Sequence, residues 1–167
     1  MSALHTLDRI VLRGARHPGD VAVVDGRIVA VGTVPPEPGD VVVRCDGDVV
    51  TAGLINTHHH LYQWITRGRA TGCDLFQWLV ELYPVWGRLS VEDVRAAALV
   101  GLAELAATGC TTASDHHYLV PGGDDTVFDA IVDAAQTVGI RLHLSRCLLY
   151  TSPSPRDGLL SRMPCCA

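Results

Sequence analysis

The feature that most limits what this chain can become is the cadence after His60, in which apolar runs alternate with helical patterns ended by glycine. Ser90-Val91-Glu92-Asp93 reads as a capping box with Asp in the place of the usual Glu. Behind it Val94, Ala98, Leu102 and Leu105 recur on one helical face. Gly109 is placed to end that helix, and residues 110–114 follow as a strand running into Asp115-His116-His117. The pattern then returns, with 126–138 as helix, Val127, Ile131 and Ala135 as its apolar stripe, Gly139 as its stop and 140–145 as the next strand. An earlier helix is expected over 74–83, halted by Pro84. Strands separated by helices in this way pair in parallel, because each crossover carries the chain back to the end where the previous strand began. A closed (β/α)8 barrel takes roughly 250 residues. After Thr51 a chain of 167 residues has room for the first three strands of one. The expected class is therefore α/β, an incomplete barrel.

The first strand of that series carries the chemistry. Thr51 to His60 reads T-A-G-L-I-N-T-H-H-H. In a strand, successive side chains point to opposite faces, so His58 and His60 share one face and His59 takes the other. Two imidazoles one residue apart on one face can reach a single divalent cation. Imidazole suits zinc, iron, copper or nickel, and a catalytic zinc needs a further protein ligand and an open position for water. Weaker polar candidates are Gln63, just past this strand, and His116, His117 and His143, on or after later strands. His116 and His117 stand at the strand end where barrel enzymes carry their active sites. The aromatic residues Phe76, Trp78 and Tyr83 fit packing better than substrate contact.

Before this series the chain is of a different kind. Residues 9–12 and 20–24 are short β-rich runs, and Asp25-Gly26 between 21–24 and 27–31 is a strong hairpin signal. Residues 41–44 and 48–51 read as two more strands around Asp46-Gly47. The expectation is a small antiparallel sheet with nothing catalytic in it. At the other end, residues 147–167 combine three prolines with serines and show no periodicity. They read as appended, non-native sequence, a natural Pro/Ser-rich tail being the alternative. The resulting division is 1–51, 52–146 and 147–167.

Composition bounds the partners. The net charge is -5 and no Lys/Arg stripe is present, which weighs against a nucleic-acid partner. The start lacks a basic stretch and an apolar core, so no signal peptide is expected. The most apolar window, 96–107, is short and contains Glu104, which argues against a membrane span. The six cysteines form no CxxC pair and read as cytosolic thiols, placing the protein in the cytoplasm.

Gly53-Leu54-Ile55-Asn56-Thr57-His58-His59-His60 resembles the first-strand signature of the amidohydrolase superfamily, with Ala52 standing where a proline is usual. Leu61-Tyr62-Gln63, Leu75-Phe76-Gln77-Trp78-Leu79 and Leu82-Tyr83-Pro84-Val85-Trp86 are similar to a narrower branch, the 8-oxoguanine deaminase and hydroxyatrazine aminohydrolase group. The resemblance runs from about Arg9 to Arg146. It implies that the first 51 residues are half of a β-sandwich completed from the C-terminus, and that His58 and His60 bind a divalent metal, zinc first and iron as the alternative. It also implies that the parent protein deaminates a purine- or triazine-like ring by attack of metal-activated water on a ring carbon. Gln63 and His117 are the candidate substrate contacts. The remaining ligands and the proton-transfer residues of the family lie on later strands, so no catalytic residue is assignable here and the fragment itself is expected to be inactive. The implied partner is a small heterocycle, with no nucleic acid and no membrane, and a homo-oligomeric parent is left open. Two alternatives stand beside this. One is a hydantoinase-type cyclic amidohydrolase whose two metals are bridged by a carboxylated lysine; this chain contains no lysine, but the strand that would carry one is absent, so that reading stays open. The other is a non-catalytic truncation product.

Overall fold

The computed structural model describes residues 9–146. It divides into two compact units, Met1–Ala52 and Gly53–Ala167.

In the first unit, strands β1 (Ile10–Arg13), β2 (Asp20–Val24), β3 (Arg27–Gly32) and β4 (Val41–Arg44) form a sheet in the order β3-β2-β1-β4. Asp25 and Gly26 both take positive φ, 49° and 72°, the geometry a two-residue hairpin turn demands, and they join β2 to β3. The sheet is not wholly antiparallel as expected, because β1 and β4 run parallel. The stretch from Thr33 to Asp40, with its three prolines, is long enough to return the chain to the end where β1 begins. There Val41 N–H donates to the Arg9 carbonyl at 2.8 Å. Nor do residues 48–51 form a strand; after the Asp46-Gly47 turn only Val49 bridges, to His17. Asp20 ties the loops together, its carboxylate accepting from Gly14 N–H at 2.8 Å and Val34 N–H at 3.1 Å. Val11, Ala22 and Val34 make a small core.

The second unit has strands β5 (Leu54–His59), β6 (Cys110–His117) and β7 (Arg141–Arg146) in the order β5-β6-β7, all parallel. A 3-10 turn (Leu61–Thr66) follows β5, and helices α1 (Leu75–Trp86), α2 (Val91–Ala107) and α3 (Thr126–Val138) supply the other layer. The anticipated capping box is present: Ser90 Oγ accepts from Asp93 N–H, and Asp93 accepts from Ser90 N–H. Gly139 ends α3 in the left-handed region at φ 81°. Helix α1 does not stop at Pro84 but runs to Trp86. Proline removes one helical donor, yet the last turn is held from outside. Trp86 is buried edge-on against Tyr62, outside the helix, and its indole N–H donates to Thr66 Oγ1 at 3.0 Å.

The core lies between this sheet and the helices: Leu61, Leu82, Trp86, Val94, Leu102, Ala113, Val127 and Ile131 are all buried in it. Along β6 burial alternates, with Ala113, Asp115 and His117 turned to the helices and Ser114 and His116 only partly covered. That parity decides which groups reach the site. Among the described residues no helix is long and apolar enough to cross a membrane.

Candidate metal centre

At the C-terminal end of β5 the backbone alternation brings His58 and His60 together. Their Nε2 atoms are 3.3 Å apart. Two imidazole nitrogens, each about 2.0–2.1 Å from a tetrahedral zinc, stand about 3.3 Å from one another. The pair is therefore already spaced as two corners of such a site. His60 Nδ1 is 2.7 Å from the His116 carbonyl. A carbonyl only accepts, so Nδ1 carries the proton and the Nε2 lone pair faces the pair's shared space. This is the arrangement by which metal-binding histidines are oriented from behind. Burial holds the His60 imidazole below its ordinary pKa, partly offset by the bond to His116, while His58 beside it pushes the same way as burial. Such a ring stays neutral and able to ligate. Among the described residues no group of three or more His, Cys, Asp or Glu side chains is arranged to hold a metal ion. Two neutral imidazole nitrogens at this spacing are a donor pair of the kind that suits a divalent metal.

His59 points elsewhere. Its Nε2 accepts from the Trp64 indole N–H at 3.3 Å, and burial lowers its pKa, with Asp115 pulling the other way. His116 stacks on His58, ring centroids 4.5 Å apart and planes 19° from parallel. This neighbour was no better marked in the sequence than His117. His117, the expected substrate contact, is 0% exposed. It is turned to the helical layer, edge-on to Tyr62 and Phe128, with its Nε2–H donating to the Leu119 carbonyl. The physical reason is the parity of β6: residue 117 shares a face with Ala113, and residue 116 does not. His143 is exposed and stands opposite Ser114 in the register of β6 and β7.

Gln63, in the 3-10 turn, donates to Tyr62 Oη at 3.4 Å and lines an open cleft of about 430 Å³ together with His60, Trp64, Arg67 and Trp78. Arg67 lies over the Trp64 ring at 4.5 Å. Burial, and secondarily Tyr118, raises the Tyr62 hydroxyl far above its ordinary pKa, so it remains a neutral donor. Asp115 was not singled out in the sequence. It is fully buried, and its Oδ1 accepts from Leu61 N–H at 2.9 Å.

The family model for the amidohydrolase family matches residues 49–163, reaching past 146 into the stretch read from the sequence as a tail. The chain belongs to the amidohydrolase family. It is 45% identical over 133 residues to 8-oxoguanine deaminase of Pseudomonas aeruginosa, covering 77% of this chain and 30% of that one. It is 37% identical over 142 residues to hydroxydechloroatrazine ethylaminohydrolase of a Pseudomonas species, covering 76% and 30%. Among solved structures it superposes on a triazine hydrolase from Arthrobacter aurescens with TM-score 0.72 and 28% identity, covering 83% of this chain and 35% of that one. A variant of atrazine chlorohydrolase from the same species, complexed with zinc and atraton, gives 0.67 at 28% identity, covering 84% and 34%. This amidohydrolase chain thus spans about a third of the length of the relatives it matches. The relatives are hydrolases acting on C–N bonds and on triazines.

Proposed function

We propose that this chain is the N-terminal part of a metal-dependent aminohydrolase that deaminates a purine- or triazine-like ring, 8-oxoguanine or a close analogue first. The observation that carries the reading is the meeting of His58 and His60 Nε2 at 3.3 Å, with the far nitrogen of His60 already engaged by a backbone carbonyl. The 45% identity to an 8-oxoguanine deaminase and the zinc in a triazine-hydrolase relative support it. On this reading the three parallel strands open a (β/α)8 barrel, and the N-terminal sheet is half of a composite sandwich. The divisions fall at 1–51, 52–146 and 147–167, and the enzyme works in the cytoplasm on a small heterocycle.

Zinc, with iron as the alternative, would be held by His58 and His60, and when bound it supplies hydroxide by lowering the pKa of a water to about 7. The residues of this chain do the rest of what falls to them. His60 keeps its Nε2 lone pair inward through the His116 carbonyl, and burial keeps the ring neutral. Gln63 presents an amide, able both to donate and to accept, at the rim of the cleft beside His60. The partly covered His116, rather than the buried His117, is the β6 imidazole placed to meet a substrate.

The test is ammonia release by the protein encoded by the complete reading frame, screened across aminated purines and triazines. Turnover of 8-oxoguanine or a hydroxytriazine is expected. Activity on hydantoins alone would overturn the proposal.

A further inference from the structure

We infer that Asp115 is the positioning residue for the metal-ligating face of His60, acting through the peptide that follows it. This inference rests on the reading of His58 and His60 as ligands. Strand β6 holds His60 at two points. The His116 carbonyl takes the ring Nδ1–H at 2.7 Å, and the Asp115 carboxyl takes the Leu61 N–H, the very next backbone donor, at 2.9 Å. His60 is the last residue before the 3-10 turn, at φ −131° and ψ 85°, and its own side chain makes no cap to that turn. The Leu61 donor would therefore be left to an apolar core without Asp115, for Leu61 is itself 0% exposed. Fixing both the ring and the next peptide removes the two freedoms through which Nε2 could swing away from His58.

A buried carboxyl is a costly way to satisfy one N–H, since burying a polar group is unfavourable unless it is hydrogen-bonded. Here the second oxygen gains little: Asp115 Oδ2 has no hydrogen-bond partner among the described residues and faces His117 Nδ1 at 3.6 Å, which is equally unpartnered. The costs of this site therefore stand against the one bond it makes well, the bond to the residue beside the ligand. Partners that orient a ligating histidine from behind are typically worth 10–100-fold in metal affinity.

The experiment uses the complete protein, with cobalt(II) as the probe, because its visible absorption reports ligand geometry independently of turnover. Asp115→Asn keeps an acceptor for Leu61 N–H, and wild-type cobalt affinity and spectrum are expected. Asp115→Ala and Asp115→Leu remove it, and a 10–100-fold weaker cobalt affinity with an altered spectrum is expected well below the unfolding temperature. Folded Ala or Leu variants with unchanged affinity and spectrum would overturn the inference. So would failure of both to fold beside a normal Asn variant, which would make Asp115 a structural residue only. A wild-type protein whose cobalt uptake is indifferent to His58→Ala would overturn the metal reading itself, and this inference with it.

Discussion

Thr66→Val tests how the turn behind the site is held. Thr66 and Trp86 are both buried, at 4% and 1% exposure. Thr66 Oγ1 accepts from the Trp86 indole N–H at 3.0 Å and donates to the Gln63 carbonyl at 3.1 Å. Valine keeps the shape and removes both bonds. The stranded indole N–H costs about 1–3 kcal/mol and the lost bond to Gln63 about 0.5–1.5 kcal/mol, for a total of about 1.5–4.5 kcal/mol. Thr66→Ser keeps both bonds and loses a methyl group, about 1 kcal/mol. The assay is urea unfolding of the complete protein followed by far-ultraviolet circular dichroism, run as a double-mutant cycle with Trp86→Phe, which removes the indole donor. In that background Thr66→Val should cost only the Gln63 bond, leaving a coupling of about 1–3 kcal/mol. Equal costs in the two backgrounds would refute the reasoning and show that the last turn of α1 is held by packing alone.

Three further outcomes are expected. His58→Ala or His60→Ala should abolish metal retention in the complete protein, whereas His59→Ala, whose ring is engaged with Trp64, should largely spare it; equal loss in all three, measured by elemental analysis, would show the face assignment to be wrong. Asp20 accepts two backbone N–H bonds that lower its pKa below the ordinary 3.8. A depressed carboxyl stabilises fully above that value and loses its contribution as pH falls through the lower folded value, so the melting-temperature gap between wild type and Asp20→Ala should be widest above 3.8 and close under strong acid. The 167-residue chain by itself should associate and turn over nothing. Leu54 and Ile55, on a strand at the edge of its sheet, are 62% and 67% exposed, and size-exclusion chromatography showing an active monomer would contradict this.

What could be read from the sequence was local. The Asp25-Gly26 turn, the Ser90/Asp93 box and the Gly139 stop each depend on residues within a few positions, and each stands where its pattern put it. So does the shared face of His58 and His60, which needs only a strand. The misread features depend on partners far along the chain. Strand β4 pairs in parallel with β1 across a proline-rich connection that no short window reports. Helix α1 passes Pro84 because Tyr62 and Thr66, outside the helix, receive Trp86. His117, expected as a substrate contact, is instead buried on the face that Ala113 and Asp115 share, a parity set by packing against the helices. Asp115 itself gave no signal, since its value lies in a donor 54 positions away.

The bond from His60 Nδ1 to residue 116 has a consequence for how such a site can diverge. Its acceptor is a backbone carbonyl, which every amino acid supplies. The side chain at 116 can therefore be exchanged without withdrawing the group that sets the tautomer of the neighbouring imidazole. On the proposed reading of His60 as a ligand, selection on ring preference and retention of a metal would be uncoupled at this position by the difference between main chain and side chain.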